Sequence, residues 1–171
     1  AGQATVGLEI LQDLPDVELV LVPIGGGGLI SGVAAALKLI RPEIHVVGVE
    51  PEWANDAQAS LRSGRIVELP IEQTGSTIAD GMRATRIGDI TFEHIRTFVD
   101  DIITVSEDEI RKAVRKLILD ARLVVEPSGA VTFAAFLYHQ HELPPAKRSV
   151  TVISGGNVDP ELLSQILAEE D

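Results

Sequence analysis

Val17-Glu-Leu-Val-Leu-Val-Pro-Ile-Gly-Gly-Gly-Gly-Leu-Ile-Ser-Gly32 joins a short apolar run to four glycines and then to a helical pattern. Leu19 to Val22 is wholly apolar and half valine, as in a parallel strand covered on both faces. Leu29 to Ile40 returns to helical spacing, with Ala34, Ala35 and Ala36 favouring helix. The glycines therefore sit at a strand-to-helix turn. Four successive residues without Cβ let backbone N–H groups converge, and the following helix adds its own unpaired N–H groups and the positive end of its dipole. The combination suits a phosphate. Two competing motifs fail on spacing. A dinucleotide turn wants G-x-G-x-x-G, which Gly25, Gly27 and then Ile30 break, and a P-loop wants Gly-Lys-Ser/Thr, which does not follow here. A flexible hinge is the remaining alternative, but hinges are seldom flanked by so apolar a strand and so alanine-rich a helix.

Length and composition set the bounds. With 171 residues and 45% hydrophobic content, the chain can bury a sizeable core as one domain or the greater part of one. It contains no cysteine, which removes disulfides, thiolate zinc sites and thiol nucleophiles and suits a reducing, cytoplasmic location. The 26 acidic against 14 basic residues give a net charge of −12, which argues against a nucleic-acid partner. No apolar run reaches the length of a membrane span, and the first residues have no signal-peptide pattern. The opening Ala-Gly-Gln-Ala-Thr, without an initiator methionine, fits a processed start or a piece of a longer chain.

Helical and strand patterns alternate along the chain. Thr5 to Leu14 reads as an amphipathic helix closed by Pro15, and His45 to Glu50 as a second strand ended by Pro51. Trp53 to Leu61 predicts a helix stopped at Ser63-Gly64, Ile66 to Leu69 at most a short strand, and Glu72 to Gly81 a polar loop. A short helix at Thr91 to Phe98 precedes a strand at Ile102 to Val105. Ser106-Glu-Asp-Glu109 is then a capping box opening a helix to about Ala121. Val124 to Pro127 is extended or turning, Ser128 to His141 helical, Ser149 to Ser154 the last strand, Gly155-Gly156-Asn157 a second glycine turn, and Pro160 to Ala168 a final helix. The predicted class is α/β, with a mainly parallel twisted sheet and helices on both faces. Ligands of such sheets gather at the carboxyl ends of strands, where Gly25, Glu50 and Ser154 fall.

Pro23-Ile-Gly-Gly-Gly-Gly-Leu29, Gly48-Val-Glu-Pro51, Thr77-Ile-Ala-Asp-Gly81, Glu126-Pro-Ser-Gly-Ala130 and Ser154-Gly-Gly-Asn-Val-Asp159 occur in an order that resembles the threonine dehydratases and serine racemases, pyridoxal-phosphate enzymes of the tryptophan-synthase β type (fold type II). Gly2-Gln3-Ala4-Thr5 is similar to the segment just upstream of that family's glycine loop, so the resemblance covers essentially the whole chain. It implies that Gly25, Gly26, Gly27, Gly28 and the amide of Leu29 bind the phosphate of pyridoxal 5'-phosphate, that Gly81 approaches the ring, and that Ser154 hydrogen-bonds the pyridine nitrogen. A hydroxyl does not hold that nitrogen charged as an aspartate does, so the ring is a weaker electron sink and β-elimination a natural outcome. From the residues alone, Ser154 reads equally well as a turn residue before Gly-Gly.

Glu50 and Asp56 are two carboxylates six residues apart across the end of a strand. With intervening carbonyls they are hard oxygen ligands of the kind Mg²⁺ or Ca²⁺ takes. By resemblance to the serine racemases, the ligand set is Glu50, the Ala54 carbonyl and Asp56. The alternatives are a solvated helix acid at Asp56, and at Glu50 a loop acid or the ribose-reading acid of a dinucleotide fold. His45, His94, His139 and His141 show no ligand spacing, and Asn157 resembles a position that contacts a nucleotide effector in some serine racemases.

The same family carries its Schiff-base lysine in a Ser-x-Lys-x-Arg-Gly segment, followed by a small domain with Ser-Gly-Asn-His. Neither occurs in this sequence, and Lys38, Lys112, Lys116 and Lys147 match no such motif. The resemblance therefore implies that residues 1–171 are a single α/β domain, the cofactor-phosphate-binding portion of a threonine or serine dehydratase acting on a small amino acid to give a 2-oxo acid and ammonia. Serine racemase is the alternative within the enzyme class. Outside it stand a non-catalytic domain binding a phosphate ligand or partner, and a nicotinamide-binding domain. Exposed apolar surface predicts a homo-oligomer or association with the missing portion of the enzyme.

Overall fold

The computed structural model describes residues 2–169. Four strands, β1 (Leu19–Pro23), β2 (His45–Pro51), β3 (Asp101–Val105) and β4 (Ser149–Thr151), form one sheet in the order β3-β2-β1-β4, and every pairing is parallel. All five residues of β1 are buried. Its alternate side chains feed two cores, because successive Cβ atoms leave opposite faces of a strand. Leu19 and Leu21 join Val47, Val49, Ile103 and Val105 on one face, and Val20 and Val22 join Val46 and Ile102 on the other. Truncating a fully buried leucine such as Leu21 to alanine costs roughly 2–5 kcal/mol.

Helices cover both faces. On the first lie α6 (Glu107–Leu119), α7 (Pro127–Tyr138) and α8 (Pro160–Ala168). On the second lie α1 (Ala4–Asp13), α2 (Gly28–Ile40), α3 (Asp56–Ser63) and α5 (Asp89–Phe98). Helix α6 shows how local sequence sets an element. Glu109 N–H donates to Ser106 Oγ at 3.4 Å while Ser106 N–H donates to Glu109 Oε2 at 2.8 Å. This closes the expected capping box, and Ile110, Ala113, Val114 and Leu117 then recur at helical spacing on the buried face. Gly48, in the middle of β2, leaves room for a neighbour: a Cβ there would lie 2.3 Å from Ile24 Cδ1.

Several boundaries differ from the sequence expectation. Ile66 to Leu69 forms no strand; Leu69 N–H instead donates to Thr85 O at 2.8 Å, holding this stretch as a loop. The polar stretch 72–81 contains the end of a short helix, α4 (Ile71–Thr74), and the start of a 3-10 turn at Asp80–Met82. The helix expected from Trp53 breaks at Asn55, between a 3-10 turn (Glu52–Ala54) and α3, and α3 ends at Gly64 with φ +72°. Helices α6 and α7 each end short of the expected residue. Strand β4 stops at Thr151, so Ser154 lies three residues beyond it. The last rung is Val152 N–H to Leu21 O at 3.0 Å; the Val152 carbonyl accepts instead from Thr132 Oγ1 at 2.9 Å, which turns the chain away from the ladder.

Candidate functional site

The carboxyl ends of the strands open onto a pocket of about 220 Å³ lined by Pro23, Gly25 to Leu29, Gly81, Met82, Glu126, Ser128 and Ser154. Every residue assigned by resemblance to the cofactor lies in this wall: Gly25, Gly26, Gly27, Gly28, Leu29, Gly81 and Ser154. The glycine loop runs from the end of β1 into the first turn of α2, whose N-cap is Gly27 at φ +84° and ψ 0°. That is a left-handed conformation that L side chains rarely adopt. The N–H groups of the first turn have no acceptor inside the helix and carry the positive end of its dipole. A Cβ added at Gly26 or Gly28 would meet nothing within 4 Å, so both open onto free space.

Glu126 and Ser128 complete the wall. Neither was singled out from sequence, although both lie within the Glu126-Pro-Ser-Gly-Ala130 motif that carries the resemblance. Gly81 N–H donates to Ser128 Oγ at 3.0 Å. Glu126 N–H donates to Gly155 O at 3.1 Å, and its Oε2 accepts the Asn157 N–H at 2.8 Å. A Cβ on Gly155 would lie 2.6 Å from Glu126 Oε1, and one on Gly129 would lie 2.6 Å from Gly155 O. The start of α7 is thus zipped to the turn that carries Ser154 and is tied to Gly81 as well. The sequence signal was present in the glycines at 81, 129 and 155: a Cβ at 129 would meet the Gly155 backbone, and one at 81 or 155 would meet the Ser128 or Glu126 side chain.

Glu50 and Asp56 lie in a different place: Asp56 opens α3, and Glu50 sits against its first turn. Their exposures are 0% and 1%. Glu50 accepts from the N–H groups of Ala57 (3.0 Å) and Gln58 (2.8 Å), so its carboxylate caps α3 from another element. Burial, and after it the neighbouring Asp56 charge, pushes the Glu50 pKa well above the usual carboxylate range. Burial raises the Asp56 pKa to about 7. Asp56 Oδ2 is buried without a hydrogen-bond partner. Ala54 is also buried. Among the described residues no group of three or more histidine or acidic side chains is arranged to hold a metal ion, so any cation here would depend on two carboxylates plus backbone or water oxygens.

None of the four lysines lines the glycine pocket. Lys38 pairs with Asp100 at 2.7 Å, Lys112 with Asp108 at 2.7 Å and Lys116 with Asp120 at 2.8 Å. Lys147 donates its backbone N–H to Glu18, next to β1's first residue. Of the histidines, His139 and His141 stack 6.0 Å apart just past the end of α7, and no histidine lines the glycine pocket.

A glycine loop that opens a helix beside convergent small residues and a hydroxyl, at the carboxyl edge of a parallel α/β sheet, defines the class of fold suited to a phosphate-bearing ligand. The comparisons give the family. The pattern described as "Pyridoxal-phosphate dependent enzyme" matches residues 1–155, and the chain belongs to that family. It is 47% identical to the L-threonine dehydratase catabolic TdcB of Escherichia coli (strain K12), over 97% of this chain and 50% of that protein. It is 43% identical to a serine racemase of Arabidopsis thaliana, over 93% of this chain and 48% of that one. Among solved structures, a threonine deaminase from T.th. superposes with a TM-score of 0.86 at 44% identity, covering 92% of this chain and 58% of that chain. Maize serine racemase superposes with a TM-score of 0.88 at 41% identity, covering 96% and 50%. The chain spans about half the length of the curated relatives it matches. No helix among the described residues is long and apolar enough to cross a membrane.

Proposed function

We propose that this chain is the cofactor-phosphate-binding domain of a pyridoxal-phosphate-dependent dehydratase that converts L-threonine or L-serine to a 2-oxo acid and ammonia. The observation that carries the reading is the pocket uniting Gly25 to Leu29, Gly81 and Ser154 at the N-terminus of α2. When bound, the cofactor withdraws electrons so that the Cα proton of an amino acid becomes acidic and a β-hydroxyl can leave. The chain's own residues bind and orient. The N–H groups from Gly25 to Leu29 would hold the phosphate, Gly81 would leave space beside the ring, and Ser154 Oγ would be a neutral partner for the ring nitrogen, which would favour elimination over stronger carbanion stabilisation. Glu126 and Ser128 keep Ser154 and Gly81 in place. Serine racemase is the second reading, favoured by the racemase relatives of similar identity. A cytoplasmic location and self-association, or association with the portion bearing the lysine, belong to the same proposal.

Glu50, Asp56 and the Ala54 carbonyl are proposed to take Mg²⁺ or Ca²⁺. Asp56 Oδ2 is the support: a buried oxygen without a partner, next to a second buried carboxylate, fits a hard cation better than it fits a dry core.

The experiment is equilibrium dialysis of the chain against pyridoxal phosphate, with inorganic phosphate as competitor, followed by borohydride reduction and mass spectrometry. Reversible, phosphate-competed binding without a stoichiometric lysine adduct is expected. One stoichiometric adduct on Lys38, Lys112, Lys116 or Lys147 would place the reactive lysine within this chain and overturn the assignment. A polypeptide supplying the Ser-x-Lys-x-Arg-Gly segment in trans should restore turnover of threonine or serine.

A further inference from the structure

Two hydroxyls hold the glycine loop from behind. Ser31 Oγ donates to Gly27 O at 2.6 Å. Thr91 Oγ1, on α5, lies 3.0 Å from Gly26 O and 2.9 Å from Gly88 O. A hydroxyl has one proton to give, and Gly88 O already accepts the Phe92 N–H at 2.9 Å, so the bond that gains most is the one to Gly26. It joins residues 65 positions apart. Ser31 Oγ also lies 3.4 Å from Thr91 O, which links the two hydroxyl-bearing residues.

The peptide plane turns these contacts into an orientation. In a trans peptide the C=O and the following N–H point to opposite sides. Drawing Gly26 O toward α5 therefore aims the Gly27 N–H away from α5, and holding Gly27 O on Ser31 of α2 aims the Gly28 N–H away from Ser31, out of the N-terminal end of the helix. Gly27 and Gly28 line the pocket, whereas Thr91 and Ser31 stand outside it. Packing acts with the hydrogen bonds. A Cβ on Gly27 would lie 2.9 Å from Thr91 Cβ and 3.2 Å from Ile95 Cδ1, so α5 presses directly on the left-handed residue of the loop.

We propose that Thr91 is a positioning residue for the cofactor phosphate, fixing the Gly26–Gly27 peptide so that the loop's N–H groups converge before the anion arrives. The proposal rests on the cofactor reading above. It extends the phosphate site to a helix that contributes nothing to the pocket wall.

The test compares the parent chain with Thr91→Val, which keeps the shape and loses the hydroxyl, and with Thr91→Ser, which keeps the hydroxyl. Affinities for pyridoxal phosphate, inorganic phosphate and phosphate-free pyridoxal are measured by dialysis, and the Gly26 to Gly28 amides are followed by NMR. Thr91→Val should weaken pyridoxal phosphate and phosphate alike by about tenfold and leave pyridoxal unchanged, the loss expected of one hydrogen bond. Thr91→Ser should recover binding to within about threefold. Equal pyridoxal phosphate affinity for Thr91→Val and parent, or equal losses for pyridoxal and its phosphate, overturns the proposal. Failure of the parent to bind either phosphate compound overturns the cofactor reading instead. The loop amides then decide the clamp: unchanged shifts in Thr91→Val reject it, and shifts confined to residues 26–28 uphold it. Should Thr91→Val fail to fold, Thr91→Ala and Thr91→Ser are compared by the same criteria.

Discussion

Glu126 and Asn157 are joined by a hydrogen bond of 2.8 Å from the Asn157 N–H to Glu126 Oε2, and the Glu126 N–H answers with a bond of 3.1 Å to Gly155 O. The pair brackets the turn that follows Ser154. A charge-assisted bond of this kind contributes about 1.5–3 kcal/mol, so Glu126→Ala should lower stability by an amount in that range and raise hydrogen exchange at Asn157. Gly155→Ala should also destabilise, because its Cβ would lie 2.6 Å from Glu126 Oε1. The two costs should not add. With the carboxylate gone the added methyl has room, so the double variant is expected to be more stable than the sum of the single effects predicts. Additive losses in denaturant titrations would show that Glu126 does not set the space at Gly155.

The loop glycines separate binding from folding. Gly26 has open space at its Cβ position, so Gly26→Ala should leave the melting temperature almost unchanged, and Gly26→Asp should fold while placing a carboxylate against the phosphate site. Binding of pyridoxal phosphate should be lost in the aspartate variant. Gly27→Ala should behave in the opposite way, losing stability because its φ is +84° and Thr91 Cβ would be 2.9 Å from the new methyl. A stable Gly27→Ala with normal phosphate affinity would contradict the geometry assigned to the loop.

The strands, the two-sided core and the glycine turn from β1 into α2 were legible in the sequence because each rests on a local signal. An unbroken apolar run at Leu19 to Val22, four glycines and an alanine-rich helix follow one another without a gap. Residues whose role depends on distant partners were not legible. Nothing around Thr91 announces a bond to Gly26, and Glu126 belongs to a stretch that reads only as extended or turning until Gly155 and Asn157 are seen against it. Ser154 lies in the pocket wall but three residues past β4 rather than at its end, because the pattern of valine and isoleucine continues after the hydrogen-bonded ladder has ended. At Glu50 the sequence offered a ligand; the fold adds a cap on α3 that uses both of its oxygens.

Asp56→Asn tests the cation proposal, since it removes the charge of a carboxyl whose Oδ2 has no hydrogen bond to lose and keeps a side-chain oxygen to accept from backbone N–H groups. A cation that binds only the folded state adds about 2.7 kcal/mol at a hundredfold excess over its dissociation constant. Mg²⁺ or Ca²⁺ should therefore raise the melting temperature of the parent and leave Asp56→Asn unmoved. Without cation, at pH 8, the variant should be at least as stable as the parent, because burial raises the Asp56 pKa to about 7 and the neutral amide avoids the cost of holding that carboxyl charged. An equal cation response in both proteins would assign it to another site. No response in the parent would leave Glu50 as the cap of α3 alone.

His139 gives the fold a pH dependence that can be measured apart from the pocket. It is the C-cap of α7, with Nδ1 2.6 Å from Glu142 Oε1 and Nε2 3.1 Å from Glu109 Oε1. Partial burial lowers its pKa, but the hydrogen bonds and charges of Glu142 and Glu109 outweigh it and the net shift is upward from 6.5. Partial burial raises the Glu109 pKa, yet the Ser106 N–H and His139 carry it below 4.5 overall. For the raised imidazole, the stabilisation is complete below pH 6.5 and is lost as pH climbs through the folded-state value. For the lowered carboxyl, it is complete above pH 4.5 and is lost as pH falls through the folded-state value. The link between α6 and α7 is therefore strongest between those two limits. His139→Gln should flatten the decline of stability above pH 6.5, with a loss near pH 6 of roughly 0.5–1 kcal/mol for so partly exposed a pair. Thermal melts of both proteins from pH 5 to 9 decide it. Parallel curves would mean that the imidazole titrates with the same affinity in the folded and unfolded chains.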